Sequence, residues 1–271
     1  MTMGLSLSED SAHGGMAADA PRRARGHFFL LRCGYEYLVF YGLLAIFALS
    51  CLIWSAAAAL LHPITPRAIG ARVGQFMIMA GFRYFVGLMK LSGIIKCDLT
   101  ALDALRGKPS LIIAPNHPSL LDVVLVISRL PGVVCTAKAR LLSSCLLGGS
   151  ARFAGFIRND APTHFVKEGI RQLRAGRQLL IFPEGTRTGG PCVDSFKSGF
   201  ALIAKRAGAP VQTVFIDSNS RFLGKGWPLL KKPDFPLRYR IRLGPAVAVD
   251  GDVGTFVARL QESYRRELAT E

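Results

Sequence analysis

The chain has 271 residues, half of them hydrophobic, which is enough for one well-packed domain with an appendage. Its formal net charge of +16 favours an anionic partner, which could be a nucleic acid, an anionic membrane or an anionic substrate. Nucleic acid is the weakest of the three, because the sequence has no zinc-ligand pattern, no aromatic RNA-binding motif and no solvated basic tail.

The N-terminal third of the chain is predicted to be a tail followed by two membrane-associated helices. Residues 1–26 are small and polar and predict a flexible tail. Residues 37–61 contain no charged residue, a run of 25 that is long enough to cross a hydrocarbon core. The helix-breaking sequence HPITP follows, and a second helix is predicted over residues 67–92. We therefore predict a helical pair at the membrane over residues 27–93 and a separate domain over residues 94–271.

The second helix carries a single basic stripe. Arg72, Arg83 and Lys90 are eleven and seven residues apart, which places them within about 20° of each other on a helix. Such a stripe on an otherwise apolar helix is typical of a segment in the interface of an anionic membrane, and the alternative is a core-packed helix with a solvated edge. Basic residues flank both ends of the pair, which favours a hairpin or shallow insertion with both ends cytoplasmic over a true span through residues 37–61.

Two short motifs follow apolar runs that predict buried strands. Residues 116–122 have the sequence NHPSLLD and follow the run 111–114, and residues 182–187 have the sequence FPEGTR and end the run 179–182. Both motifs are therefore expected on loops at strand ends, where α/β folds place their functional residues.

The first motif can bring a histidine and an aspartate to one site. A spacing of five residues separates side chains by roughly 140° on a helix, so His117 and Asp122 converge only if His117 precedes the helix. Pro118 favours this, because proline suits the first helical turn and disfavours helical backbone in the residue before it. Asp122 would then accept the N–H of one ring nitrogen, and the other nitrogen would act as a general base. Taken alone, the spacing also fits a loop histidine near a helix cap.

The second motif adds an acid and a guanidinium. Arg187 could hold a phosphate through two parallel N–H bonds, and the alternative is a turn with an ordinary surface arginine. Together, NHPSLLD and FPEGTR resemble the glycerolipid acyltransferases of the lysophosphatidate acyltransferase type, over about residues 111–214. The spacing from Gly155 to Arg158 is shorter than the family's common form, and Thr213 replaces a usual second proline.

The resemblance implies an α/β fold with a mixed central sheet flanked by helices and an N-terminal two-helix membrane anchor. It also implies that His117 is the general base and Asp122 its partner in moving a fatty acyl group from acyl-ACP or acyl-CoA to the hydroxyl of a lysolipid. The expected acceptor is 1-acyl-glycerol-3-phosphate and the expected product phosphatidate. Backbone N–H groups after Pro118 are the expected oxyanion donors. The predicted substrate-binding residues are Lys138, Arg158, Glu184, Gly185, Thr186 and Arg187, with Glu184 positioning a polar group of the acceptor.

No cofactor and no metal are predicted beyond the thioester co-substrate. The thioester is already activated, and neither Ser119 nor any of the six scattered cysteines has the base partner that a nucleophile requires. The expected partners are the lysolipid, the acyl donor and an anionic membrane, on the cytoplasmic face of the inner membrane. The alternatives are the same chemistry on a non-phosphate acceptor such as a lyso-aminolipid, or a non-catalytic membrane protein. A hydrolase is disfavoured by the lack of a G-x-S-x-G motif.

The rest of the chain predicts alternating helices and strands. Residues 219–245 contain seven Lys or Arg and one Asp between aromatic residues, which suits an anionic interface, although a solvated loop is the alternative. The predicted elements are a strand at 133–136, a helix at 163–175 capped by Thr163, a helix at 195–208, a strand at 209–216, an exposed-edge strand at 238–243, and a terminal helix capped by Asp252.

Overall fold

The structure of the chain is a computed structural model. It describes residues 20–190 and 192–269, with side chains described from residue 30 onward. Residues 1–19 of the tail predicted for residues 1–26 therefore lie outside the described residues. The first helix begins at Ala20, within the range predicted for the tail.

Two long helices lie at the N-terminal end of the described chain. Helix α1 spans Ala20–Leu61 and helix α2 spans Arg67–Leu91, with the break at HPITP. Pro66 has an extended backbone and is the residue directly before α2. Proline fixes φ and has no backbone N–H, so it does not continue a preceding helix. Helix α2 lies where the sequence predicts it, whereas α1 contains the predicted run 37–61 but begins earlier, at Ala20. Their joint role as a membrane anchor stays a prediction.

Helix α1 exposes a large apolar surface. Within the part of the chain that the structure describes, Leu30–Leu61 is the one helical stretch that is long and apolar enough to cross a membrane. Only 17% of its most apolar window is buried, whereas the core helix of a soluble protein would be mostly buried. Helix α2 packs one face on the domain and leaves the predicted basic stripe exposed, together with apolar neighbours. The exposed residues of α2 include Ile69, Arg72, Val73, Phe76, Met77, Arg83, Tyr84, Lys90 and Leu91.

Within the described residues, seven strands form one mixed sheet, which is the kind of sheet that the family resemblance implies. Their bounds are β1 Ile95–Asp98, β2 Ile112–Pro115, β3 Val134–Ala137, β4 Ile157–Arg158, β5 Leu179–Leu180, β6 Val211–Ser218 and β7 Leu237–Val247. The order across the sheet is β1-β7-β6-β2-β5-β3-β4. Neighbouring strands are parallel except for β6 and β7, which are antiparallel.

Helices cover both faces of this sheet. The remaining helices are α3 Leu121–Ile127, α4 Ala139–Leu142, α5 Gly148–Phe153, α6 Pro162–Arg174, α7 Gly199–Ala207 and α8 Val253–Ala269, with a 3-10 helix at Thr100–Leu105. Because side chains alternate along a strand, neighbouring residues enter opposite cores. Ile113 packs in the core formed with α1, α2 and α3, whereas Ile112 packs in the core formed with α6, α7 and α8.

Three local predictions were wrong in their detail, and one was confirmed. β7 is not an edge strand, because β1 pairs with its outer side. Thr163 does not cap α6, which begins at Pro162 because proline favours the first helical position. Helix α7 begins at residue 199 instead of 195. The backbone just before it bonds to another segment of the chain, because Lys197 N–H donates to Pro183 O at 2.8 Å. Asp252 does cap α8, its Oδ2 accepting Thr255 N–H at 2.8 Å.

Candidate active site

The two sequence motifs meet at the carboxyl ends of the parallel strands. β2 and β5 are parallel neighbours, with Ile112 opposite Leu179, so the chain leaves both strands at the same edge. The His117 ring stacks on the Phe182 ring with 3.9 Å between the ring centroids. The N–H of Thr188 donates to His117 O at 2.8 Å. The structure therefore brings NHPSLLD and FPEGTR into one site.

His117 and Asp122 form a buried pair. His117 lies before α3, and Asp122 lies in the first turn of that helix, as the proline argument predicts. His117 Nδ1 is 3.1 Å from Asp122 Oδ2, with the histidine side chain 10% exposed and the carboxylate fully buried. Burial raises the pKa of the Asp122 carboxyl, and the bonds from His117 and Ser119 N–H oppose that rise. An ionised Asp122 fixes the proton on Nδ1, which leaves Nε2 as the basic nitrogen.

One oxygen of Asp122 carries both of its bonds. Oδ2 accepts from His117 Nδ1 and, at 2.7 Å, from Ser119 N–H. Oδ1 is buried and has no hydrogen-bond partner among the described residues. Both donors belong to the same motif as Asp122, so the motif itself holds this carboxylate in place.

The backbone N–H groups after Pro118 are not available as oxyanion donors, which corrects the prediction. Ser119 N–H donates to Asp122, and Leu120 N–H donates to Leu223 O at 3.2 Å. Leu121 N–H donates to Ser119 Oγ at 3.1 Å. Each of these groups already has a protein acceptor, because the turn that positions Asp122 uses them.

Glu184 joins the two motifs and does not face an open site. It is 1% exposed. Its Oε1 accepts His117 N–H at 3.0 Å and the Thr188 hydroxyl at 2.9 Å, and its Oε2 accepts Asp194 N–H at 2.8 Å. Burial raises the pKa of this carboxyl, which the same three donors oppose. Glu184 therefore holds the backbone of His117, and its predicted role in positioning the acceptor stays a prediction.

Arg187 fixes a loop that sequence reasoning did not connect to the site. Its Nη1 donates to Leu223 O at 2.9 Å and to Gly224 O at 2.8 Å. The Ser119 hydroxyl donates to Phe222 O in the same loop at 2.7 Å. A guanidinium has five N–H donors, so these two bonds leave others for a ligand. Arg187 therefore has a structural role in addition to the phosphate contact expected from the sequence.

Asn116 was not predicted as a site residue, although it opens the first motif. Its Nδ2 donates to Ile216 O at 3.0 Å, and its Oδ1 accepts Ile216 N–H at 2.7 Å. The side-chain amide thus continues the pairing of β2 with β6 beyond the end of β2. An asparagine directly after a predicted parallel strand is the signal that could have indicated this role.

Three of the other predicted binding residues, Lys138, Gly185 and Thr186, line a cavity of about 610 Å³ beyond the ends of β3, β4 and β5, which we call the β5-side cavity, whereas Arg158 is not in its lining. Gly185 lines it with φ +67°, and a Cβ there would approach Lys197 Cδ to 3.1 Å. Arg158 is half exposed and donates from Nε to Asp160 at 3.1 Å. Lys197, which the sequence did not indicate, joins Lys138 in the wall. Lining residues include Thr136, Lys138, Asn159, Asp160, Phe182, Gly185, Thr186 and Lys197.

Comparison with known proteins identifies the family. A family model described as Acyltransferase matches residues 96–217. The 1-acyl-sn-glycerol-3-phosphate acyltransferase of Pseudomonas aeruginosa is 24% identical over 219 residues, covering 79% of this chain and 82% of that protein. The protein of the same name from Helicobacter pylori is 31% identical over 167 residues, covering 58% and 67%. The lyso-ornithine lipid O-acyltransferase of Pseudomonas aeruginosa is 33% identical over 129 residues, covering 43% of this chain and 49% of that protein.

A solved structure shows the same fold. The crystal structure of the 1-acyl-sn-glycerophosphate acyltransferase PlsC from Thermotoga maritima matches with a TM-score of 0.65 and 18% identity, covering 89% of this chain and 96% of that one. Fold, motifs and relatives agree, and the chain belongs to the lysophosphatidate acyltransferase-type family of glycerolipid acyltransferases, as an O-acyltransferase.

Proposed function

We propose that the protein acylates the free hydroxyl of 1-acyl-glycerol-3-phosphate, with acyl-ACP or acyl-CoA as donor, and forms phosphatidate. The observation that carries this proposal is the buried His117–Asp122 pair held against the FPEGTR loop by Glu184. Two of the relatives named above are 1-acyl-sn-glycerol-3-phosphate acyltransferases and support the acceptor class. No cofactor takes part beyond the thioester co-substrate.

In the proposed reaction, Nε2 of His117 accepts the proton of the acceptor hydroxyl as its oxygen attacks the thioester carbonyl carbon. Asp122 stabilises the imidazolium that forms. The tetrahedral intermediate then collapses, the carbon–sulfur bond breaks, and the leaving thiolate takes the proton from His117. No covalent enzyme intermediate is formed.

The phosphate of the acceptor is proposed to bind in the β5-side cavity. Lys138 and Lys197 bring positive charge to its wall, and Thr186 brings a hydroxyl. Ionised donors make strong bonds to phosphate oxygens. Arg158 and Arg187 do not line this cavity. Arg158 is bonded to Asp160, which does line it, and Arg187 keeps N–H donors beyond the two bonds that Nη1 makes to the 223–224 carbonyls.

We further propose that the site opens at the cytoplasmic face of the inner membrane. Leu120, three residues after His117, is 46% exposed, and Leu229 and Leu230 are also exposed. The Tyr41 hydroxyl of α1 donates to Leu230 O at 3.2 Å, so this apolar surface adjoins the apolar helix. Exposed apolar side chains flanked by basic residues favour binding to an anionic membrane.

A second candidate function is the same transfer to an acceptor without a phosphate, such as a lyso-aminolipid. Two observations favour it. The chain is 33% identical to a lyso-ornithine lipid O-acyltransferase over 129 residues. In addition, the Nη1 of Arg187, the expected phosphate ligand, is bonded to backbone carbonyls.

The test is an acyl-transfer assay on membranes that contain wild-type protein, His117→Ala or His164→Ala. His164 is exposed on α6 and provides a matched histidine control. Lysophosphatidate and an ornithine-type lysolipid are each offered with acyl-ACP and with acyl-CoA. We expect product from lysophosphatidate with the wild type and the control and none with His117→Ala. Product from the ornithine-type acceptor alone would support the second candidate, and equal product from His117→Ala would refute the catalytic role.

A further inference from the structure

A basic cavity lies at the edge of the sheet opposite the active site. It is about 440 Å³ in volume, and it is bounded by the segments that lead into β2, β3 and β5 and by one side of α2. These three strands are parallel, so the chain enters them at this edge and leaves them at the edge where His117 lies. We call it the amino-end cavity. Its lining residues are Arg72, Gln75 and Phe76 of α2 and residues 106–108, 130–132 and 176–178.

The amino-end cavity carries positive charge that no acid in its lining balances. Its basic lining residues are Arg72, Arg106, Lys108 and Arg177, and within the described residues no Asp or Glu lines it. Arg106 is paired, with Nη2 3.1 Å from Asp103 Oδ1. The other three form no salt bridge with any residue that the structure describes. Three cations therefore lack the acid that an anionic ligand would supply.

A buried glutamine holds one of these cations in place. Arg177 Nη1 donates to Gln75 Oε1 at 3.0 Å, and Gln75 Nε2 donates to Ala154 O at 2.9 Å. Gln75 is 3% exposed, so a buried amide that is bonded at both ends orients the guanidinium. The other N–H donors of Arg177 are left for a ligand. A guanidinium that is already oriented loses less conformational entropy on binding an anion than a free surface side chain does.

The surroundings of Arg177 disfavour its positive charge. Burial lowers the pKa of this guanidinium, and the nearby charges of Arg72 and Arg171 lower it further. Arg171 has a carboxylate partner in Glu168, whereas Arg72 and Arg177 have none among the described residues. Repulsion between like charges at a partly buried position is relieved when an anion binds beside them. Phosphate oxygens suit this role, because ionised donors make short and strong hydrogen bonds to them.

The helical wall of the cavity continues into an apolar surface. Arg72 and Phe76 are one turn apart on α2, and Phe76 is 55% exposed. Val73 and Met77, which follow them in the chain, are also exposed. Basic and apolar side chains next to each other on a helix are typical of a surface that contacts anionic lipid. A soluble phosphate would use only the basic part of this surface, whereas a phospholipid would use both parts.

We propose that the amino-end cavity binds the headgroup phosphate of an anionic phospholipid, whose acyl chains lie along the neighbouring apolar side chains of α2. The site is separate from acyl transfer, since it lies at the opposite end of β2 from His117. A lipid bound here ties the domain to the membrane surface through α2 and the segment before β5.

Direct binding tests this site without acyl transfer. Dihexanoyl-phosphatidylglycerol, which is neither acceptor nor product of the proposed reaction, is titrated calorimetrically against the full chain in micelles of an uncharged detergent. The test variant is Arg72→Gln with Arg177→Gln. The matched control is Arg83→Gln with Lys90→Gln, which removes two charges from the exposed basic stripe of the same helix outside this cavity. We expect about tenfold weaker binding in the test variant and less than about a twofold change in the control.

Arg72→Gln alone covers the case in which loss of the bond between Arg177 and Gln75 prevents folding. Arg72 is exposed and forms no salt bridge with a described residue, so this change leaves the fold in place. It should weaken binding by about threefold. Equal binding in the wild type and the test variant would overturn the proposal. Equal weakening in the test variant and the control would also overturn it, because the lipid would then be attracted by the whole stripe.

Two further probes test the class of ligand. Dihexanoyl-phosphatidylcholine has no net charge, and inorganic phosphate has no apolar part, so each should bind about tenfold more weakly than phosphatidylglycerol. Equal binding of either probe would overturn the assignment to an anionic lipid. In the test variant the KM for lysophosphatidate should change by less than about twofold. A larger rise would place the bound lipid at the active site and overturn the assignment to the amino-end cavity.

Discussion

Replacing Asp122 by asparagine should separate catalysis from stability. Oδ2 makes both hydrogen bonds of this side chain, and Oδ1 is buried with no partner among the described residues. The amide oxygen of asparagine can take the place of Oδ2, and its NH₂ group the place of Oδ1. The substitution therefore removes the negative charge and leaves the geometry in place. Because that charge stabilises the imidazolium, we expect kcat to fall by about 10²–10⁴.

The free energy of unfolding should be higher in the Asp122→Asn variant than in the wild type. Burial raises the folded-state pKa of Asp122 above its unfolded value of about 4. The folded state therefore binds more protons between the two pKa values, and the stability of the wild type falls as the pH rises through that window. Asparagine has no such dependence, so its advantage should be greater at pH 7 than at pH 4.

Both quantities can be measured on the same detergent-solubilised samples. Steady-state acyl transfer gives kcat, and thermal unfolding followed by fluorescence at pH 4 and pH 7 gives the melting temperature. The wild type melted at both pH values is the reference. A variant that loses activity and also melts well below the wild type at pH 7 would refute the reasoning, since the carboxylate would then be needed for folding. A kcat within tenfold of the wild type would refute the catalytic role.

Three further substitutions test the framework of the site. Glu184→Gln turns an NH₂ group toward at least one backbone N–H and should lower the free energy of unfolding by about 2–4 kcal/mol. We expect kcat to fall and the KM for the acceptor to change little. An unchanged melting temperature together with a raised KM would contradict this. Tyr264→Phe leaves the buried N–H of Val214 without its acceptor and should cost about 1–3 kcal/mol in a denaturant titration, and no loss would show that the bond is dispensable. Gly185→Ala places a Cβ at φ +67° and should cost about 1–2 kcal/mol, which a melt as high as that of the wild type would exclude.

The positions of the two motifs could be predicted because their signals are local. An apolar run followed by a polar motif defines the ends of β2 and β5, and Pro118 places His117 just before α3. These features depend on residues within a few positions of one another. The pairing of His117 with Asp122 followed from them.

The errors concern partners that are distant in sequence. The oxygens of Glu184 are filled by donors 67 and 10 residues away, which no local pattern reveals. β7 was taken for an edge strand because β1, the four residues Ile95–Asp98, is too short and too polar to stand out. Residues 219–245 were predicted to suit an anionic interface, with a solvated loop as the alternative, and neither reading indicated that the carbonyls of residues 222–224 are bonded to Ser119 and Arg187.

The bonds between α1 and the basic loop mean that the long apolar helix also supports the loop beside the active site. Lys232 Nζ lies 2.8 Å from Glu36 Oε2, and Tyr41 donates to Leu230 O. Ten residues before Lys232, Phe222 O accepts the hydroxyl of Ser119 in the catalytic motif. A strain on α1 is thus passed through one short stretch of chain to the turn that carries His117. If α1 is embedded in a membrane, as proposed above, lipid packing and bilayer thickness would influence the turnover rate, and a protein cut off before α2 would lose a support of its catalytic loop together with its apolar helix.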